Sequence, residues 1–200
     1  MPKELPYTSS IKDMPLMFHD MKRTALLLCD GKSSEDIILM SIDENIYQLD
    51  KVKRRRDVPL KMLKRLSNIG MPLIEVIANG HDNEAKLIAF LAFMKADRLL
   101  FEYMYEVYAD KHYSGHSEIT DKDFIVFIER KTQNSETVAK WTTPNLASIR
   151  GKIKTALCDA GLAKRDGDNL LIQQPIVDDG LCKLFDEADR VYARAMLIEP

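Results

Sequence analysis

Few side chains in this sequence stand at the spacings that covalent chemistry requires. Gly31-Lys32-Ser33 ends as a phosphate-binding loop ends, but that loop needs a glycine five positions before Gly31, and the residue there is Leu26. His112 and His116 stand four apart, the separation that sets two imidazoles on one helical face for a metal. Gly115 lies between them, and neither an HExxH pattern nor a cysteine partner is near. A GxSxG elbow, a GxGxxG turn after a strand and paired carboxylates in a cleft are all missing. Cys29, Cys158 and Cys182 are odd in number and far apart, which fits reduced thiols packed as small apolar groups. The expectation is a non-enzyme with no cofactor and no metal.

The side chains that can act together are cations. Between Lys51 and Leu66 lie Lys51, Lys53, Arg54, Arg55, Arg56, Lys61, Lys64 and Arg65 against one acid, Asp57. This stretch carries +7 in a chain whose net charge is −2, so the remainder carries −9. An acidic protein with its positive charge gathered in one segment has a local field that attracts a polyanion, although its isoelectric point is near 6.1. A solvated basic loop is the plainer alternative.

Helical patterns surround this segment. Apolar residues recur at helical spacing from Met14 to Asp30 and stop at Gly31. Ser33 or Ser34 caps a second helix, with Glu35 and Asp36 in its first turn, that ends near Asn45. Asp57 is read as the N-cap of a third, with Pro59 in its first turn, Leu60, Leu63 and Leu66 as its apolar positions and Gly70 as its stop. From Asp82 to about Asp110 runs a long apolar helical pattern, broken near Ala96, whose aromatics read as packing groups. The polar segment His112 to Glu118 reads as a hinge. The expected division is therefore 1–80, a helical, helix-turn-helix-like module; 81–117, a central scaffold and hinge; and 118–200, a C-terminal module.

That last module is the most informative. Thr120 caps a helix through Phe124, Phe127 and Ile128, and a short helix follows at about Ser135 to Lys140. After the turn Trp141-Thr-Thr-Pro, Thr143 is read as N-cap and Pro144 as the first position of a helix that ends at Gly161. Leu162-Ala-Lys-Arg then enters the tight turn Asp166-Gly-Asp-Asn and leaves through Leu170-Leu-Ile-Gln, the pattern of a β-hairpin. Helix, turn, capped helix and hairpin is the layout of a winged helix-turn-helix. Opposite Leu146, Ile149 and Ile153, the capped helix presents Ser148, Gly151 and Thr155, flanked by Lys152 and Lys154. A recognition helix needs little bulk where it enters a groove and cations at its edges, and the wing adds Lys164 and Arg165. Only Asn145, at the helix start, is well placed to read bases, so specificity should be modest. The same fold also serves protein contact.

Apolar residues are 46% and charged residues 30%, the balance of an ordinary globular domain. The longest uncharged apolar stretch, Leu87 to Met94, falls far short of the roughly 20 residues that span a bilayer. The start, Met1-Pro-Lys-Glu-Leu-Pro, lacks the apolar core of a secretory signal. A cytoplasmic protein is expected.

Tyr7-Thr-Ser-Ser-Ile, the helix from Met21 to Gly31, Asp43-Glu-Asn-Ile-Tyr-Gln with the basic run and Lys64-Arg65-Leu66 after it, and the Trp141-Thr turn together resemble the BrxA family. The family comprises small components of BREX bacteriophage-exclusion systems. The resemblance implies a mostly helical protein with helix-turn-helix-like modules that binds DNA beside a larger machinery that methylates host DNA and blocks phage replication. Carried onto this sequence, the family's basic helix falls on Arg54, Arg55, Arg56, Lys61 and Lys64, and its winged module on Ser148, Lys152 and Lys154. Pro59 is a departure, because it interrupts what the family runs as a longer helix. The combined reading is a mainly α accessory protein that binds double-stranded DNA mostly through phosphates, with other BREX components as partners and no membrane. The rival readings are a protein-interaction adaptor and an RNA-binding protein resembling antitermination factors.

Overall fold

A computed structural model describes residues 5–199, which form mostly helices and one small antiparallel sheet. They divide into two compact units, 16–96 and 97–199 together with the N-terminal segment. The boundary falls at the break near Ala96, and not at 80 and 117, for a packing reason. The first half of the long apolar pattern, α5 (Asp82–Lys95), packs on α1 (Phe18–Cys29), α3 (Val52–Leu66) and α4 (Met71–Asn79). Leu87 to Met94 are all buried, as befits a helix apolar on every side. The Asp97 side chain then accepts from the Leu100 amide and starts a new helix in the other unit.

In the 16–96 unit, α2 (Ser34–Asp43) opens with a reciprocal capping box between Ser33 and Asp36, as its acids suggest. The helix α1 is shorter than its pattern and starts at Phe18 rather than Met14. The sequence reading assigns nothing between Gly70 and Asp82, where α4 forms behind Pro72. It ends at Gly80, whose extended backbone still donates to the Val76 carbonyl at 2.9 Å and where a Cβ would lie 2.5 Å from that oxygen, so only glycine fits this end. The larger correction concerns α3, which is capped at Lys51 and not at Asp57, and runs straight through Pro59. Proline leaves the Arg55 carbonyl without its helical donor. The buried Ser41 hydroxyl of α2 donates to that carbonyl instead, at 2.5 Å. The face it buries also differs from the one expected: Val58, Met62 and Leu66 face inward, while Leu60 is exposed and Leu63 half-buried.

In the other unit, α6 (Arg98–Tyr103), a π-helical segment (Met104–Ala109) and α7 (Asp110–Tyr113) follow without a gap. The expected hinge at 112–118 is the end of α7 and the approach to β1 (Glu118–Ile119). Thr120 caps α8 (Asp121–Asn134) through a box with Asp123, and α9 (Glu136–Ala139) follows. The N-cap of α10 (Thr143–Asp159) is Thr142, one residue earlier than read, and Pro144 sits within its first turn. The hairpin of β2 (Ala163–Asp166) and β3 (Asn169–Ile172) forms as expected, and β1 pairs with β3 to give the order β1-β3-β2. The Tyr108 hydroxyl, from the π-helical segment, bridges the Leu162 and Gln173 carbonyls at the base of the hairpin, 2.7 and 2.8 Å away. Two helices unread in the sequence, α11 (Asp179–Cys182) and α12 (Arg190–Ala195), complete the unit. Of the aromatics read as packing groups, Tyr105 is the exception, at 49% exposure.

The N-terminal segment is held onto this unit by charge. The Tyr7 hydroxyl donates to Glu102 Oε2 at 2.7 Å, and the Arg98 guanidinium lies 4.2 Å from the Tyr7 ring and bonds Glu102 Oε1 at 2.7 Å. Lys131 pairs with the same Glu102 at 2.7 Å. Burial pushes the Glu102 carboxyl up, but hydrogen bonds from Lys131, Arg98 and Tyr7 outweigh it and hold the group below its ordinary value. Burial and the Glu102 carboxylate push the Tyr7 hydroxyl up to about 12. Because the folded Glu102 value is depressed, its stabilisation is present above the ordinary 4.5 and is lost as pH falls through the folded value. Glu102→Gln should therefore lower the melting temperature at neutral pH and flatten its fall on acidification, which melting curves between about pH 3 and 7 would show.

Candidate nucleic-acid interface

The basic segment becomes one face of α3. At about 100° per residue, Lys53, Arg56, Leu60 and Lys64 line a single outward stripe roughly 17 Å long, with Lys61 and Asp57 half-buried on its flank. Lys51, at the N-cap, is exposed at its start. Among the described residues, no ion pair engages Lys51, Lys53, Arg56 or Lys64. The other arginines are turned inward. Arg54 is half-buried and lies near Asp20, whose carboxyl is pushed up by burial against the opposing pull of Arg54, His19 and Arg23. Arg55, also half-buried, donates from Nε to the Leu49 carbonyl at 3.1 Å.

Arg65 corrects the sequence reading outright. It is 0% exposed, its Nη1 donates to the Leu16 carbonyl at 2.9 Å, and its guanidinium lies 4.0 Å from the Phe93 ring centroid. It shares the inner face with Met62 and Leu66 and presents nothing to a phosphate.

On α10 the expected outward face is present. Gly151, Lys152 and Thr155 are exposed, and Ser148 is half-buried. Arg165 of β2 reaches back to it, its Nη2 donating to Thr155 Oγ1 at 3.2 Å. Burial raises the nearby Cys158 thiol, and the same guanidinium opposes that rise. Lys164 is also exposed. Two residues depart from the expected roles. Lys154 is 8% exposed, and its ammonium donates to Asp121 of α8 and to the Asp168 carbonyl in the wing turn, so it ties helix to wing instead of facing solvent. Asn145 is half-buried, and its Oδ1 accepts from Lys12 Nζ at 3.1 Å. Neither Lys12 nor Asp121 was legible as a partner, because each stands far from its contact in sequence. Lys154→Ala should cost about 2 kcal/mol in urea unfolding, since Asp121 keeps Arg150 at 3.0 Å and loses only the buried cation.

Among the described residues, no group of three or more His, Cys, Asp or Glu is placed to hold a metal, and no helix is long and apolar enough to cross a membrane.

Residues 5–189 match the BrxA family, and this span covers most of the chain. The chain belongs to the BrxA family. A curated relative from Bacillus cereus (strain H3081.97), the BREX protein BrxA, is 35% identical over 178 residues, 89% of each chain. The fold resembles the crystal structure of an uncharacterized protein from Magnetospirillum magneticum. The TM-score is 0.78 and the identity 18%, over 95% of this chain and 97% of that one. For this BrxA-family chain the cations that remain outward are thus Lys51, Lys53, Arg56 and Lys64 on one unit, and Lys152, Lys164 and Arg165 on the other.

Proposed function

We propose that this BrxA-family chain is a non-enzymatic, double-stranded-DNA-binding accessory protein of a BREX phage-defence system, acting in the cytoplasm beside other BREX components. The observation that carries the reading is the outward stripe of α3, where Lys53, Arg56 and Lys64, none of them in an ion pair among the described residues, recur along one helical face. Lys51, Lys53, Arg56 and Lys64 neutralise phosphates there, with half-buried Lys61 on the flank of the stripe and Arg54 and Arg55 adding charge from behind. The 97–199 unit supports the reading independently. Helix, strand, helix, helix and hairpin with the sheet order β1-β3-β2 supports a winged-helix reading, in which α10 presents Ser148, Gly151, Lys152 and Thr155, Arg165 reaches Thr155 from the hairpin and Lys164 is exposed on it. Small side chains at that face and the engagement of Asn145 by Lys12 favour phosphate contact over base readout. The name of the Bacillus cereus relative supports the assignment to a BREX system.

Fluorescence anisotropy of labelled duplex DNA, titrated with the purified chain from about 50 to 200 mM salt, tests the reading. A steep negative log-log slope is expected. No binding at the lowest salt overturns it and leaves the adaptor role, whereas tighter binding of hairpin RNA than of duplex DNA transfers the same cations to RNA.

A further inference from the structure

Two helices of the 16–96 unit carry outward stripes of matching design and opposite charge. On α2, Glu35, Leu39 and Asp43 follow at four-residue steps, all exposed, with Leu39 at 56%. On α3, Arg56, Leu60 and Lys64 follow at the same steps, all exposed, with Leu60 at 45%. The α2 sequence holds three acids and no cation, whereas α3 holds seven cations and one acid. Laid side by side in either direction, two such helices set leucine on leucine and place each flanking acid against a cation one turn away. Among the described residues none of the four flanking charges has an ion-pair partner.

The two stripes cannot meet within one chain. Ser41 of α2 bonds the Arg55 carbonyl of α3, which marks the sides on which these helices pack together. Leu39 lies about 160° around α2 from Ser41, and Leu60 about 140° around α3 from Arg55. Each stripe therefore faces away from the other helix.

We propose that the acidic α2 stripe is a docking surface for the basic α3 stripe of a second copy of this chain. Because the stripes point apart, the pairing is head-to-tail: each copy offers α2 to one neighbour and α3 to another, so the association does not close into a two-fold dimer. The contact comprises one apolar pair and two solvated ion pairs, well short of the roughly 1,000 Å² of a stable interface, so it is weak and salt-sensitive. This docking stands independently of DNA binding, and a duplex on α3 competes with it.

Sedimentation velocity of the intact chain from about 10 to 500 μM, at about 50 and 500 mM salt, reads the association directly. The weight-average sedimentation coefficient should rise with concentration at low salt and stay at the monomer value at high salt. Glu35→Lys with Asp43→Lys forms one variant, and Arg56→Glu with Lys64→Glu a second. Each alone should remain monomeric, because its two stripes now carry like charge, and an equimolar mixture should regain the association. A wild-type chain that is monomeric throughout, a single variant that associates as wild type does, or a mixture that stays monomeric overturns the proposal. Leu39→Ser, which alters no charge, should weaken association at least threefold, and an unchanged value also overturns it. The first variant keeps the α3 cations, so its duplex binding by anisotropy separates a failure of this docking from a failure of the DNA reading.

Discussion

Arg65→Ala should lower the free energy of unfolding by about 3 kcal/mol or more while leaving the salt slope of DNA binding unchanged. Arg65 is among the largest fully buried side chains of the described residues, and its removal opens a cavity beneath Phe93 and leaves the Leu16 carbonyl without that donor. A buried hydrogen bond from a charged donor and a guanidinium stacked on an aromatic face each add to the packing loss. Arg65→Lys should recover little of it, because an ammonium neither stacks flat on Phe93 nor spans the fork of the guanidinium. Urea unfolding of the two variants, with anisotropy under conditions where both are folded, checks this. A stable Arg65→Ala that binds DNA with a shallower slope would return the residue to the surface set.

The opposite result is expected one face away. Lys53→Ala, Arg56→Ala and Lys64→Ala together should leave stability within about 1 kcal/mol, since all three side chains are exposed and, among the described residues, no ion pair holds them. They should reduce the log-log salt slope by about 2.7, which is three contacts at about 0.9 each, and weaken duplex binding on the order of 10²-fold near 0.1 M salt. The loss should be nearly uniform across duplex sequences, because phosphate contacts carry no base information. An unchanged slope would remove α3 from the interface and leave the α10 face and its wing to bind alone. The two experiments together separate Arg65 from Lys53, Arg56 and Lys64 within one run of eight cations, a structural role from an interfacial one.

That division shows what was local and what was not. The capping boxes at Ser33 and Thr120, the hairpin turn at Asp166-Gly-Asp-Asn and the break at Ala96 depend on residues within a few positions of one another, so their chemistry can be read from the chain directly. The wholly apolar run Leu87 to Met94 likewise announces a buried helix, because no face of it can be left in water. Membership of the BrxA family was legible too, from motifs scattered along most of the length. The start of α3 was misread because proline ordinarily ends or opens a helix, and the group that makes it tolerable here, Ser41, belongs to another helix. Which face of α3 turns inward was set by its packing on α1, α2 and α5, so Leu60 is exposed while Val58, Met62, Arg65 and Leu66 are buried.

Charge and helical period by themselves determined that positive charge is gathered in one segment, that most of the chain is helical and that a hairpin follows the capped helix. Only the tertiary structure decided which cations face water. Arg65 and Lys154 look like their neighbours in sequence, yet each is drawn inside by partners that lie outside its own helix: the Leu16 carbonyl and Phe93 for the one, Asp121 and the Asp168 carbonyl for the other. Burying a charge is costly unless such partners surround it, and where they lie depends on how the helices pack, not on the order of residues within any one of them.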